Sequence, residues 1–150
     1  MSSAPAGEEE IRRLLAAYQQ YQAQAEAVLR QLSLTQLTAE GLDRALKAVE
    51  DLEKSQEGQE ILVPIGSGSF VHGRLASKER VVLNVGAGVS IERTTAEAKE
   101  TLKARSSEVQ EGSRRLNEVL GKIRQEMARI EALIQRFEES QQRPGSEGVV

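Results

Sequence analysis

The stretch EILVPIGSGSFVHGRLASKERVVLNVGAGVSIER, residues 60–93, decides how this chain is read. Branched and aromatic residues alternate with polar ones in four short runs: Ile61–Ile65, Ser69–Leu75, Arg80–Val85 and Val89–Arg93. The breaks are Gly66-Ser67-Gly68, Ala76-Ser77-Lys78-Glu79 and Gly86-Ala87-Gly88. Two Gly-X-Gly turns and one polar turn between such runs predict two β-hairpins joined by a loop. Pro64 has no N–H to give to a ladder, which places its strand at an edge or a start.

On either side the pattern changes from a period of two to one of three and four. Before the strands, Ile11, Leu14, Tyr18, Tyr21, Ala25, Val28, Leu32, Thr35, Ala39, Leu42, Leu46 and Val49 form one unbroken stripe. After them, the stripe reads Ala98, Leu102, Arg105, Val109, Gly112, Leu116, Val119, Ile123, Glu126, Ile130, Leu133 and Phe137. Leu120, Met127 and Ile134 add a second apolar edge. Stripes sustained over more than five heptads predict coiled-coil helices, at residues 8–57 and 94–142. Thr94 followed by Glu97 is a capping-box spacing at the start of the second. Thr35–Gly41 is the expected place for a bend, since glycine costs about 1 kcal/mol against alanine inside a helix. The fold class is therefore mainly α with a small β part. A long antiparallel coiled-coil hairpin, each arm ~70 Å at ~1.5 Å per residue, carries two β-hairpins at its base. Residues 1–7 and 143–150, rich in small residues, proline and glycine, are expected to be mobile tails.

Composition agrees. Of 150 residues 29% are charged and 3% aromatic, which suits long helices better than a compact globule. Four short strands with apolar alternation cannot cover both of their faces alone, and open edges attract other strands. Oligomerisation is the expected solution: several copies pool hairpins into a larger sheet or barrel. The assembly residues would be Val63, Ile65, Phe70, Val71, Val81, Leu83, Val85, Val89 and Ile91. At the far end of the coil, Ile11, Leu14 and Leu15 face Ile130, Leu133, Ile134 and Phe137. A two-helix seam needs only two apolar positions per heptad. Leu15, Ile134 and Phe137 are therefore expected to be left over as exposed apolar surface.

Several function classes fall away. Twenty basic against 23 acidic residues give a net charge of −3, with no basic footprint for nucleic acid. There is no cysteine, hence no disulfide framework or thiolate metal site. His72 is the only histidine, so neither a catalytic triad nor a histidine metal site can be assembled within one chain. The glycine-rich turns lack the GxxxxGK[ST] form and lead into strands rather than a helix N-terminus. No apolar run reaches the ~18 residues a membrane span needs, and MSSAPAGEEE lacks a signal peptide's apolar core. The expectation is a soluble cytoplasmic protein that is not an enzyme and has no cofactor, no catalytic residues and no metal.

LVPIGSGSFVHGRL (residues 62–75) followed by VVLNVGAGVSIER (residues 81–93), set between two coiled-coil helices, resembles the α-class subunits of the prefoldin family. Two hairpins rather than one point to the α class. The resemblance implies a hexamer of two α- and four β-class subunits whose hairpins form a shared double β-barrel. It implies an ATP-independent holdase that captures unfolded polypeptides at the coil tips and delivers them to a group II chaperonin in the cytoplasm. On that resemblance the assembly role falls on the four strands. The client-gripping role falls on Ile11, Leu14, Leu15, Ile130, Leu133, Ile134 and Phe137. The alternative is a scaffold or adaptor of a prefoldin-like complex without client binding. Exposure of Leu15, Ile134 and Phe137 is the feature that separates the two.

Overall fold

The computed structural model describes residues 6–142. The mobility expected of 1–5 and 143–150 lies outside the described residues, while Ala6 and Gly7 are helical. In order the elements are α1 (Ala6–Lys54), β1 (Glu60–Gly66), β2 (Ser69–Arg74), β3 (Arg80–Gly86), β4 (Val89–Thr94) and α2 (Thr95–Gln142). The chain divides into two compact units. One holds residues 36–111, the other residues up to 35 together with those from 112 onward.

The unit of residues 36–111 contains all four strands. β1 pairs antiparallel with β2 and β3 with β4, as two separate two-stranded sheets. Each turn places two central residues at positive φ: Ser67 (50°) with Gly68 (74°), and Ala87 (50°) with Gly88 (74°). This is the left-handed pairing that matches strand twist in a two-residue hairpin. The glycine before each, Gly66 and Gly86, sits at φ 107° where the register shifts. Asn84 Oδ1 accepts the Gly86 N–H at 2.8 Å and so secures the second bulge.

α1 stops at Lys54, three residues before the expected end. Ser55 Oγ donates to the Asp51 carbonyl (2.8 Å) and Ser55 N to Leu52 O (3.1 Å), tightening the last turn. Gly58, at φ 79°, then donates to the Leu75 carbonyl at 2.7 Å and extends the β1–β2 ladder. α2 starts with a reciprocal capping box. Thr94 Oγ1 accepts the Glu97 N–H at 3.2 Å, and Glu97 Oε2 accepts the Thr94 N–H at 3.3 Å. Next to it, buried Thr95 donates its N–H to Glu79 O (2.9 Å) and its hydroxyl to Lys78 O (3.1 Å). The loop between the hairpins is thereby fastened to the helix start.

The core of this unit is Val49, Ala98 and Leu102, with Leu42, Ala45, Leu46, Val81 and Leu83 packed against it. Lys99 Nζ donates to Glu53 Oε2 at 2.8 Å beside that core. The helices thus run antiparallel here, and the second hairpin rests one face upon them. Arg105, at a core-type position, is no misfit: its Nη2 donates to the Asn84 carbonyl at 2.7 Å.

In the other unit the seam of α1 follows the predicted stripe, with Ile11, Leu14, Tyr18, Tyr21, Ala25, Val28, Leu32 and Thr35 all partly buried. The Thr35 hydroxyl donates back to the Gln31 carbonyl (2.8 Å), and α1 is one helical element through residues 35–41. The stripe of α2 needs correction. Leu120 is 5% exposed while Val119 is 46% exposed. From Leu116 the seam runs through Leu120, Ile123, Met127, Ile130, Ile134 and Phe137. Val119 and Leu133 flank it. The reason is phase: this choice replaces Glu126 by Met127 and keeps the steps at four and three. Glu126 instead accepts from Arg129 Nε (3.0 Å) and Nη2 (2.8 Å).

Thr94→Ala removes one half of the capping box and is expected to destabilise the chain by about 1 kcal/mol, seen as a lower midpoint of thermal unfolding by circular dichroism. Thr94→Ser is expected to leave it unchanged.

Candidate functional site

Apolar surface left uncovered is the one unusual feature of this molecule, and it occurs in both units. In the hairpin unit, directly opposed residues share a face. Ile61 opposes Gly73 and Val63 opposes Val71, so these lie on one side of the first hairpin. Leu62 opposes His72 and Pro64 opposes Phe70, which places these on the other. Both sides are apolar and both are exposed: Val63, Ile65, Phe70 and Val71 all belong to the uncovered set, and Leu62 is 60% exposed. His72 Nδ1 lies 2.7 Å from Glu60 Oε1 on the Leu62 side.

The second hairpin differs. Val81, Leu83 and Ile91 share the half-buried face that Val81 and Leu83 press on the helices. The opposite face carries Arg80, Val82, Asn84, Ser90 and Glu92; Val82 is 70% exposed there, and Arg80 Nη1 is bonded to Glu92 Oε2 at 2.9 Å. Val85 and Val89 remain exposed beside the turn. All nine residues expected to serve assembly thus lie on the two hairpins. Leu62 and Pro64, which the strict alternation rule left out, extend the uncovered surface. The unbroken run Ile61-Leu62-Val63-Pro64-Ile65 is the signal that could have found them, since a strand apolar on both faces reads that way.

In the unit holding residues 6–35 and 112–142, the ring of Phe137 lies against Gly7, so closely that a Cβ there would collide with it. Tyr18 OH donates to Glu131 Oε1 at 2.7 Å. These two contacts set an antiparallel register that brings Ile11, Leu14 and Leu15 level with Ile130, Leu133, Ile134 and Phe137. Their exposures differ sharply. Ile130 is 2% exposed and is core; Ile11, Leu14, Ile134 and Phe137 are half-buried in the seam. Leu15 (47%) and Leu133 (37%) are the exposed members. Of the three residues whose exposure separates client gripping from a scaffold, Leu15 is exposed while Ile134 and Phe137 sit half-buried in the seam; Leu133 is exposed instead. The Glu131 carboxylate, through the hydrogen bond it accepts, raises the Tyr18 pKa; loss of hydration and charge repulsion add to the rise. Among the described residues no group of three or more His, Asp or Glu side chains gathers as metal ligands would, and no helix is long and apolar enough to cross a membrane.

Two long helices joined by two antiparallel hairpins, with apolar strand faces left open, define a helical coiled-coil subunit. Residues 7–139 match the family model described as prefoldin subunit. The chain is 56% identical over 110 residues to prefoldin subunit alpha of Methanothrix thermoacetophila, covering 73% of this chain and 72% of that one. It is 35% identical over 127 residues to prefoldin subunit alpha of Methanococcoides burtonii, covering 85% and 92%. Filamentous PFD from Methanocaldococcus jannaschii, solved by cryo-EM, is similar with a TM-score of 0.67 at 26% identity, covering 81% of this chain and 98% of that one. The prefoldin beta subunit from Thermococcus strain KS-1 shares the fold, with a TM-score of 0.57 at 15% identity over 96% and 100%. The chain belongs to the prefoldin family. Its coarse function follows from that membership: a prefoldin-type chaperone subunit.

The Tyr18 bond gives this unit an alkaline limit. A pKa higher in the folded than in the unfolded chain means stability present below the unfolded value, about 10, and lost as pH rises through the folded one. In a Tyr21→Phe chain, where Tyr18 is the sole tyrosine, tyrosinate absorbance is expected to titrate above pH ~10. Glu131→Gln should return the midpoint toward that value.

Proposed function

We propose that this chain is the α-class subunit of a hetero-oligomeric, ATP-independent holdase. Its hairpins join those of β-class partners, two α with four β, in a shared β-barrel. Its coil ends hold unfolded polypeptides until a group II chaperonin in the cytoplasm takes them over. The observation that carries this reading is apolar surface uncovered where a lone chain gains nothing from it: both faces of the first hairpin, and Leu15 with Leu133 at the coil end. Burying such surface is worth about 25 cal/mol per Å². One coil end holds weakly, but several tethered to one base raise effective concentration and hence avidity. Ile11, Leu14, Ile134 and Phe137 join the contact as the helix ends fray, while Ile130 stays in the seam. Catalysis has no place in this reading, since capture needs only area and handover needs only a tighter binder.

Two experiments test it. Phe70→Asp or Val85→Asp is expected to shift the assembled complex with its β-class partner to free subunits in size-exclusion chromatography with light scattering. Helix content by circular dichroism should be largely retained. A variant that still elutes as the full complex would remove the shared barrel. Separately, a chemically unfolded protein diluted into buffer without ATP is expected to stay in solution with a near-stoichiometric amount of assembled complex. The Leu15→Gln/Leu133→Gln complex should need several-fold more. Equal protection by the variant would move the binding surface elsewhere, and no protection from an intact complex would favour a scaffold.

A further inference from the structure

The exposed apolar residues of the coil are not confined to its end. In the unit holding residues 6–35 and 112–142, five large aliphatic side chains outside the seam are exposed: Leu15, Leu29, Leu34, Val119 and Leu133, of which Leu34 lies further round its helix from the seam than the other four. Leu15 and Leu29 each follow a seam residue, Leu14 and Val28, while Val119 and Leu133 each precede one, Leu120 and Ile134. On antiparallel helices, following and preceding positions fall on opposite sides of the seam. Each side therefore carries its own pair.

Spacing makes the pairs alike. Leu15 and Leu29 are fourteen residues apart, as are Val119 and Leu133. The Tyr18–Glu131 contact brings Leu15 close to the level of Leu133, and Leu29 close to that of Val119. Midway, one heptad from each, the first pair has exposed Gln22 and the second has Glu126, held by Arg129. Each side reads apolar, polar, apolar over about 21 Å of helix.

We infer that Leu29 and Val119 form a second client-contact level, about 21 Å in from the level of Leu15 and Leu133, and that the occupant of each side is an extended unfolded polypeptide. The spacing selects that occupant. A further helix packing as a coiled coil needs apolar partners every three to four residues, and here Gln22 and Glu126 interrupt the row. An extended chain rises about 3.3 Å per residue, so six or seven residues bridge the two levels and the polar midpoint faces backbone. The surface thus recognises clients by apolar residues six or seven apart, and binds short apolar peptides at one level only.

This inference rests on the holdase reading, and the test separates the two. Benzoylphenylalanine is placed singly at positions 15, 133, 29 and 119, and at exposed Ala27 as a control, in the full chain assembled with its β-class partner. The probe is a reduced, carboxymethylated protein that stays unfolded. Photo-crosslinks to the probe are expected at 15, 133, 29 and 119 and not at 27. In a second arm, Leu29→Gln/Val119→Gln is expected to reduce crosslinking from position 15 about tenfold for the long probe and not for a five-residue apolar peptide. Crosslinks at 15 and 133 alone, or equal loss for long and short probes, would overturn the second level and leave the holdase reading standing. Crosslinks at none of the four would overturn both.

Discussion

A seam between two helices buries two positions per heptad and no more, and this geometric limit governs the whole molecule. Whatever apolar residue the sequence places beside the seam stays in water, because no third layer covers it. The same holds for a two-stranded hairpin. The second hairpin is partly relieved by resting Val81 and Leu83 on Val49, Ala98 and Leu102, where helices and strands share one core. The first has no such support, and Leu62, Ile65 and Phe70 remain well exposed. Leaving that much apolar surface in water is costly for a solitary chain. A family whose members work as subunits gives this exposure a purpose.

The two hairpins are consequently not equivalent despite their matching turns. One face of the second is occupied within the chain and the other is mainly polar, with exposed Val82 beside the Arg80–Glu92 pair. That exposed ion pair adds little energy, of the order of 0–1 kcal/mol, but marks a face suited to water. The first hairpin is apolar on both sides and suited to being enclosed. Arg105 sharpens the contrast: by donating to the Asn84 carbonyl it holds the turn end of the second hairpin to α2. No bond of this kind holds the first hairpin among those seen in the described residues.

Most of the architecture was legible because local chemistry and global fold agree. Gly-X-Gly turns, a Thr94–Glu97 cap and the α1 stripe at three and four each specify one outcome, and each forms as read. The α2 seam was not legible past Leu116, because two apolar edges compete there at adjacent positions. Val119 and Leu133 offer one phase, Leu120 and Ile134 the other. The stripe alone cannot choose between neighbours of equal hydrophobicity. Glu126 could have: the phase that avoids burying a carboxylate is the one adopted. The candidate client surface inherited that ambiguity, since naming the leftover residues requires knowing the seam. The second face of the first hairpin was missed because alternation was applied to a strand that has none.

The surfaces proposed for assembly and for clients face opposite demands, and the side chains differ accordingly. The uncovered hairpin surface is built mostly from Ile61, Val63, Ile65, Val71, Val82, Val85 and Val89, with Leu62, Pro64 and Phe70. Branching at Cβ fixes χ1, so such a surface has one shape and accepts one complement. The uncovered coil surface is five leucines and one valine, Leu15, Leu29, Leu34, Leu37, Leu133 and Val119, set among polar residues. Leucine keeps more rotamer freedom, and isolated contacts impose no continuous shape. Stiff, dense apolar surface selects a partner; sparse, adaptable surface holds many weakly.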